Sequence, residues 1–378
     1  MSSPFWTRFK AILTTSLIVI VVGLIFPMVL IEVAARIVPA LIPTEIKTVF
    51  QNEEDQDLKG LQPDDELGYK YAPGLVNFLV PFEGDDGEQS YMVTTTSLGY
   101  ADAGFRDDGL DGQPFAVVIG DSYANCASVA MTECWTELLE QAVGRDFANL
   151  GVVGYSPQQE QRMLAKYGLP LKPKLVLWLF FPNDVNDAWR FDQFGRGAVT
   201  TGQFWQNPVR AWLARNSVVY AALSFFWYNR YLFYNLLQAD GETVPRDSNL
   251  VWWLTNTDPT VPEVAAGLSL TETSILTAYQ QAQAEADQIE FVVIIVPFRE
   301  QVYANPDLSA QLDRLNLALL DFGQQNGIKV VDLTPALRQA AAAEPAPIYF
   351  RRDIHLNRRG NELVADLLRR ELATVLGE

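Results

Sequence analysis

The sequence predicts an α/β fold in which helices cover both faces of a mainly parallel sheet. From Phe115 onward, short apolar runs alternate with segments of helical character. Most of these runs are continuously apolar, and polar residues follow directly after several of them. Strands that are apolar on both faces belong to sheets covered on both sides. Such sheets bind ligands at the carboxyl ends of their strands, so the polar residues there are the first candidates for a site.

The elements are predicted in order along the chain. The strands are Phe115–Ile119, Phe147–Leu150, Leu175–Phe180, Phe291–Val296 and Lys329–Val331. The helices are Trp135–Ala142, Pro157–Tyr167, Ser274–Ala286, Leu308–Gln325 and Arg359–Leu376. We expect a cytosolic tip and membrane anchor at 1–36, a linker at 37–65, and a small β-rich segment at 66–110 with turn signals of Gly, Pro and Asp. The main domain then spans 111–378, with a helical insertion at about 190–270.

The first segment has the composition of a membrane anchor. Ala11 to Ile31 contains no charged residue, and Arg8 and Lys10 precede it. Such a helix is about 30 Å long, which matches the hydrocarbon thickness of a bilayer. We expect an uncleaved signal anchor, because signal-peptide apolar regions are shorter. Cleavage near Val33 is the alternative. Basic residues before the span place the N-terminus in the cytosol and the bulk of the chain outside.

Charge and cysteine content narrow the function classes. The net charge of −18 argues against nucleic acid as a partner, because phosphate contacts require clustered Lys and Arg. Two cysteines, Cys126 and Cys134, lie close to Ser122. In an exported protein they form a disulfide, or else they are small core residues on the helix after Ser122. No clustering of His and Cys has metal-ligand spacing, so we expect neither a metal nor an organic cofactor.

The insertion is rich in aromatic residues and poor in charge. Between Val209 and Gln238 the only charged residues are Arg210, Arg215 and Arg230. Its aromatics pack into a helical subdomain, insert into the membrane interface, or cap the substrate cleft. The sequence leaves these three interpretations open.

One serine and the only histidine predict the chemistry. Ser122 follows the strand Phe115–Ile119 through a Gly-Asp turn, and His355 is the sole imidazole available as a general base. Asp353 can orient His355 if the segment between them is a turn. The Ser122 and Gly154 N–H groups and the Asn183 amide are the candidate oxyanion donors.

Four blocks of the sequence resemble those of the SGNH hydrolases, also called the GDSL esterase/lipase family. Gly120-Asp121-Ser122-Tyr123 is similar to the block of the nucleophile, and Asn149 to Tyr155 to the block of the oxyanion glycine, Gly154. Phe181-Pro182-Asn183-Asp184 is similar to the block of the oxyanion asparagine, with Phe181 where glycine is usual. Asp353-Ile354-His355 is similar to the last block. Its spacing, and the stretch from Pro297 to Tyr303, resemble membrane-anchored members linked to polysaccharide acetylation.

The resemblance implies a three-layer, flavodoxin-like α/β/α domain that acts on an ester. The expected substrate is an O-acetyl group on a glycan, with Ser122 as nucleophile, His355 as base and Asp353 as its partner. Asp121, Asp184, Arg106 and Arg299 are candidates for supporting contacts around these residues. An acyltransferase, a lipid esterase and a catalytically idle glycan-binding or assembly component remain as alternatives. The sequence does not fix the oligomeric state.

Overall fold

The computed structural model describes residues 22–23, 26–38, 60–84, 87–194, 213, 217–220, 222–223, 250–285, 289–303, 306–351 and 353–377. The chain divides into two compact units, Met1–Glu53 with Thr201–Tyr234, and Glu54–Thr200 with Asn235–Glu378. The larger unit contains all the strands of the described residues. Most of the predicted anchor and of the aromatic insertion lies outside the described residues. No helix within them is long and apolar enough to span a bilayer.

The strands form two hairpins and one sheet. They are β1 (Leu61–Asp64), β2 (Gly68–Tyr71), β3 (Phe78–Gly84), β4 (Gly87–Val93), β5 (Ala116–Ile119), β6 (Phe147–Asn149), β7 (Leu175–Phe180), β8 (Glu290–Ile295) and β9 (Lys329–Asp332). β1 pairs with β2 and β3 with β4, both antiparallel. The other five strands lie in the order β6-β5-β7-β8-β9, and every pair is parallel. This arrangement confirms the predicted parallel α/β sheet.

The helices are α1 (Phe26–Ile37), α2 (Trp135–Val143), α3 (Pro157–Met163), α4 (Asp184–Phe194), α5 (Leu250–Asn256), α6 (Pro262–Ala284), α7 (Arg299–Tyr303), α8 (Pro306–Leu312), α9 (Arg314–Asn326), α10 (Thr334–Ala343), α11 (Arg358–Glu371) and α12 (Ala373–Leu376). Short π and 3-10 turns extend α3 to Leu171, and a 3-10 turn at Met131–Glu133 precedes α2.

The core lies on both faces of the sheet. Val117, Ile119 and Val176 pack with residues of α3, α6 and α9 on one face. Val118 and Leu177 pack with residues of α2, α10 and α11 on the other. Because alternate residues of a strand point to opposite faces, a strand apolar at every position needs this double cover.

Three helices differ most clearly from their predicted bounds. α6 begins at Pro262, well before the predicted start at Ser274 and within the predicted insertion. The predicted helix Leu308–Gln325 is interrupted at Asp313, whose carboxylate receives two hydrogen bonds from the Arg338 guanidinium at 2.7 and 2.8 Å. The last helix breaks at Leu372. Thus tertiary contacts, which a local pattern does not contain, set some of the helix ends.

Candidate active site

The turn after β5 presents Ser122 at the carboxyl end of the sheet. Gly120 has φ +152°, and a Cβ there would lie 2.9 Å from the Ala124 Cβ and 3.0 Å from Leu179 atoms, so the turn needs glycine. Buried Asp121 accepts the Tyr123 N–H at 2.9 Å and lies 3.4 Å from the Ser122 Oγ. The tight turn and the Asp121 contacts therefore set the position of Ser122.

Two hydrogen bonds link Ser122, His355 and Asp353 in a row. The Ser122 Oγ lies 2.8 Å from the His355 Nε2, and the His355 Nδ1 lies 2.5 Å from the Asp353 Oδ1. Asp353 Oδ1 also accepts the backbone N–H of His355 at 2.8 Å, which bends the chain into the turn that the spacing requires. The structure thus brings Ser122 together with His355, which lies 233 positions later in the chain, and with Asp353.

The electrostatics of this row keep Asp353 ionised. Burial by itself raises the pKa of Asp353, but the charge of His355 and the hydrogen bonds from His355 and Ser128 outweigh it and hold the pKa below its usual value. An ionised carboxylate on the Nδ1 side fixes the ring orientation and stabilises an imidazolium. The arrangement therefore suits His355 for taking a proton from Ser122.

The aromatic ring after the nucleophile supports the histidine segment. Tyr123 donates from its hydroxyl to the Ile354 carbonyl oxygen at 2.5 Å. Its ring stacks on Phe181 with centroids 3.9 Å apart and lies 5.3 Å from the His355 ring. Phe181 stands where the resembling family has glycine, and its side chain is fully buried here. The substitution thus supplies the ring on which Tyr123 rests.

The candidate oxyanion donors Gly154 and Asn183 both follow strands of the sheet. Gly154 lies after β6 with φ +69°, a conformation that glycine adopts without strain. Asn183 lies between β7 and α4, and its Nδ2 donates to Asp187 Oδ2 at 3.1 Å. Asp121 also interacts with the Asn183 side chain. Their role in holding an oxyanion remains a prediction, and Asp187 is a contact that the sequence analysis missed.

Arg106 supports the loop after Ser122 rather than the catalytic row itself. Its buried guanidinium donates to the carbonyl oxygens of Asn125, Cys126 and Val129. One guanidinium thus binds three backbone carbonyl groups of the loop. This contact holds the loop strongly, because charge-assisted hydrogen bonds are stronger than neutral ones.

Arg299, by contrast, lies on α7, where it pairs with Glu300 at 3.0 Å and donates to the Arg351 carbonyl oxygen. Arg351 comes two positions before Asp353 in the chain. Arg299 therefore contacts the start of the segment that carries the base.

A disulfide joins Cys126 and Cys134 in the same loop. Between them, Ser128 has φ +74°, and Cys126 itself has φ +55°. Such left-handed conformations are unfavourable for residues with a Cβ and persist only where the surroundings impose them. The loop places the Ser128 side chain against Asp353. No local pattern marks Ser128 as a site residue, because a serine inside a loop is common.

Four acidic side chains are buried near the turn that carries Ser122. Two of them are the predicted residues Asp121 and Asp184. The others are Glu160 on α3 and Asp187 on α4. Burial, and then the charges of neighbouring acids, raise the pKa of Glu160 and of Asp184 well above the usual range, and burial raises the pKa of Asp187 to about 7. Within the described residues, neither Glu160 oxygen has a hydrogen-bond partner. A protonated, neutral Glu160 is the form that such an environment favours.

A separate acidic trio is formed by Asp108, Glu137 and Glu140, whose oxygens lie within 4.8 Å of one another. None of these belongs to the predicted site. Among the described residues it is the only group with this geometry, and the expectation that the chain uses no metal or organic cofactor remains a prediction.

Residues 118–363 match the GDSL-like lipase/acylhydrolase family, and no curated protein matches. Similar solved structures include an acetylxylan esterase from Geobacillus stearothermophilus, with 15% identity over 69% of this chain and 94% of that one, at a TM-score of 0.40. A member of the lipolytic G-D-S-L family from Veillonella parvula has 14% identity over 68% and 96%, at 0.38. The acetyl xylan esterase AlAXEase has 13% identity over 68% and 98%, at 0.41.

The family match spans both the nucleophile turn and the Asp353–His355 segment, and it covers more than half of the chain. With the parallel sheet and the row from Ser122 to Asp353 in place, the predicted family is confirmed. This chain belongs to the GDSL-like lipase/acylhydrolase family, the SGNH hydrolases.

Proposed function

We propose that this protein is a membrane-anchored, extracytoplasmic serine esterase that removes or transfers O-acetyl groups on cell-surface or extracellular glycans. The row of hydrogen bonds from Ser122 through His355 to Asp353 carries the catalytic part of this proposal. Family membership supports ester chemistry. The glycan is supported by the resemblance of the Asp353–His355 spacing to members linked to polysaccharide acetylation.

In the first half of the reaction, the Ser122 Oγ attacks the carbonyl carbon of the acetyl ester. His355 Nε2 accepts the hydroxyl proton, while Asp353 accepts the N–H on the opposite side of the ring. The charge that develops on the carbonyl oxygen is stabilised by N–H groups of Ser122 and Gly154 and by the Asn183 amide. His355 then donates its proton to the departing sugar oxygen, and the acetyl group remains on Ser122.

The second half returns the enzyme to its starting state. Water, or a hydroxyl group of an acceptor sugar, attacks the acetyl-serine, and His355 removes a proton from this nucleophile. Collapse breaks the ester bond to Ser122, and the Ser122 oxygen regains its proton from His355. The product is acetate when water attacks and an acetylated acceptor when a sugar hydroxyl attacks. The acceptor that the site admits therefore decides between hydrolysis and transfer.

The membrane part of the proposal is supported by the smaller unit. α1 exposes large apolar side chains on most of its surface, among them Phe26, Leu30 and Ile37. An apolar helix surface of this kind is suited to lipid rather than to water. Glu32 of α1 accepts hydrogen bonds from the Ser217 hydroxyl at 3.1 Å and the Val219 N–H at 3.2 Å. Part of the aromatic insertion thus contacts the anchor segment, which favours its location at the membrane interface.

The catalytic proposal is tested on the full-length protein in detergent. We expect wild-type protein to hydrolyse p-nitrophenyl acetate and to react with a fluorophosphonate probe, and Ser122→Ala and His355→Ala to lose both. Ser269→Ala, at an exposed serine of α6, is the matched control and should behave as wild type. A folded wild-type protein that neither labels nor turns over would favour an idle binding component. Added acetyl acceptors that divert product from acetate to acetylated sugar would establish transfer.

The location is tested separately in cells of a bacterial expression host. The protein should remain in the membrane pellet after alkaline carbonate extraction. External protease should digest the larger unit in spheroplasts without lysis of the cells. Release of the full-length chain by carbonate, or protection from protease until lysis, would contradict the anchor or its orientation while leaving the esterase intact.

A further inference from the structure

A cleft of about 610 Å³ lies beside the catalytic row in the larger unit. One wall is the β3–β4 hairpin, with Phe82, Gln89 and Tyr91. The other walls are the loop from Ser128 to Glu133, the segment at Phe350, and the first turn of α11. This volume is in the range of pockets that bind small ligands. None of the steps described for Ser122 uses these walls.

Two of the lining residues connect the cleft to the catalytic row. Ser128 lines it and hydrogen-bonds the Asp353 carboxylate. Phe350 lines it and donates its backbone N–H to the His355 carbonyl oxygen at 3.1 Å. A molecule in the cleft therefore lies next to the residues that flank His355. The cleft therefore adjoins the catalytic row at Asp353 and at the His355 backbone.

The cleft presents aromatic surface. Phe82 contacts Tyr91 and Phe350 edge to face, with ring centroids 5.9 and 5.3 Å apart. Phe82 and Phe350 are only partly buried, whereas Tyr91 is buried and lies 5.0 Å from the Arg106 guanidinium. The partly buried rings offer flat apolar faces, which suit the C–H faces of sugar rings. Edge-to-face packing against Tyr91 holds the Phe82 ring in place.

The charges around the cleft neutralise one another. Arg358 lies 2.9 Å from Glu362 and 3.7 Å from Glu133, and Arg359 lies 2.7 Å from Glu344. The remaining polar groups on the hairpin wall, Gln89 and Ser90, are neutral donors and acceptors. Both arginines among the described residues that line the cleft are paired with carboxylates, so a polyanionic chain would gain little there. A purely apolar acyl chain would desolvate the ion pairs and amides without replacing their hydrogen bonds.

We propose that this cleft binds an uncharged oligosaccharide segment that adjoins the acetylated sugar at Ser122. The inference rests on the proposed esterase function and specifies its substrate class as a neutral rather than an acidic glycan. Sugar hydroxyls pair with Gln89, Ser90 and the exposed edges of the ion pairs, while ring faces cover Phe82 and Phe350. Specificity for chains over isolated acetyl esters follows from these contacts.

The test compares three acetyl esters on the full-length protein. They are O-acetylated xylo-oligosaccharide as a neutral chain, O-acetylated oligogalacturonate as an acidic chain, and p-nitrophenyl acetate, which has no chain. The measured quantity is kcat/KM for each oligosaccharide divided by kcat/KM for p-nitrophenyl acetate in the same variant. Phe82→Ala and Gln89→Ala should each lower the neutral ratio about three- to tenfold, as expected for the loss of one aromatic or hydrogen-bonding contact. Phe322→Ala, at a partly buried ring of α9, is the control and should leave the ratio at the wild-type value.

A charge variant tests the neutral character of the cleft. Glu362→Gln leaves Arg358 with one carboxylate fewer, so the ratio for the acidic chain should rise severalfold while that for the neutral chain stays nearly constant. A wild-type preference for the acidic chain, or a neutral ratio that Phe82→Ala and Gln89→Ala both leave intact, would overturn the inference. Gln89→Ala keeps the test valid if Phe82→Ala fails to fold.

Binding separates this inference from the proposed function. Unacetylated xylo-oligosaccharide is titrated calorimetrically into full-length Ser122→Ala protein, with and without Phe82→Ala. Heat of binding that Phe82→Ala weakens supports the cleft even if no ester is turned over. Normal hydrolysis of p-nitrophenyl acetate without such binding retains the esterase and overturns the cleft.

Discussion

The Tyr123 hydroxyl donates to the Ile354 carbonyl oxygen over 2.5 Å, across 231 positions of the sequence. Tyr123 is the residue after the candidate nucleophile, and Ile354 lies between Asp353 and His355. One partly buried hydrogen bond thus joins the two segments that must meet for catalysis. It also shows what the Tyr123 hydroxyl group contributes at this position.

Tyr123→Phe keeps the ring and removes this hydrogen bond. We expect kcat/KM for p-nitrophenyl acetate to fall about three- to tenfold, because a net hydrogen bond contributes about 0.5–1.5 kcal/mol and holds His355 in register here. Tyr100→Phe is the control, since the Tyr100 hydroxyl also donates to a backbone carbonyl, that of Tyr167, at 2.8 Å. The control should lose similar thermal stability with no loss of rate. Equal rates in both variants would show that the Tyr123 contact is only structural.

The strands were predictable because a strand that is buried on both faces is apolar at every position. Leu175–Phe180 is fully buried at all six positions, and its predicted bounds agree with the observed ones. The nucleophile turn was also predictable, since Gly120 carries the φ angle that the turn demands. Asp353 can pair with His355 only if the segment between them is a turn. The sequence shows this requirement, but it does not show whether the turn forms.

Other parts of the site depend on contacts between distant segments. Ser128 meets Asp353 only because the loop from Cys126 to Cys134 folds back, and nothing in its neighbours indicates this. Glu160 is an ordinary acidic residue of a helix by pattern, yet it is fully buried. The Asn183–Asp187 pair is spaced as helix neighbours, but the sequence does not reveal that the amide is held there.

The orientation of Asn183 should depend on Asp187. If the Asn183 amide serves the oxyanion, Asp187→Ala should lower kcat about tenfold with little change in KM, because the loss acts on the transition state. Complete loss of one oxyanion donor costs about 10²–10³-fold in rate, which sets the upper limit. Asp187→Asn retains an acceptor and should recover most of the rate. Asp192→Ala, exposed on the same helix, is the control. A rise in KM with kcat intact would assign Asp187 to substrate binding instead.

The stability that Asp107 contributes should fall as the pH rises from about 4 to about 8. Burial raises the pKa of Asp107 to about 8 from its ordinary value of 3.8, although the N–H groups of Asn149 and Gly109 oppose this. Between these two values the folded state binds the proton more tightly than the unfolded state, so the free energy of unfolding decreases with increasing pH. Asp187 and Glu140, with pKa values raised by burial to about 7, act in the same direction.

Asp107→Asn tests this linkage. Urea midpoints at pH 5, 6.5 and 8 should decline less steeply in the variant than in wild type, because one titrating group has been removed. Asp321→Asn, at an exposed position of α9, should retain the wild-type slope. A wild-type midpoint that rises from pH 5 to pH 8 would show that Asp107 is ionised when folded.

The bond between Cys126 and Cys134 should stabilise the fold more than it supports the rate. Its separation of 8 residues predicts a loss of about 2–3 kcal/mol in the free energy of unfolding for Cys126→Ser with Cys134→Ser. The Arg106 guanidinium still binds the Asn125, Cys126 and Val129 carbonyl oxygens, so Ser128 should stay near Asp353 and kcat/KM should fall only severalfold. Reductant should lower the melting temperature of wild type and leave the double variant unchanged. If two thiols become titratable in wild type without a lower melting temperature, the disulfide contributes little and Arg106 is the principal tether of the loop.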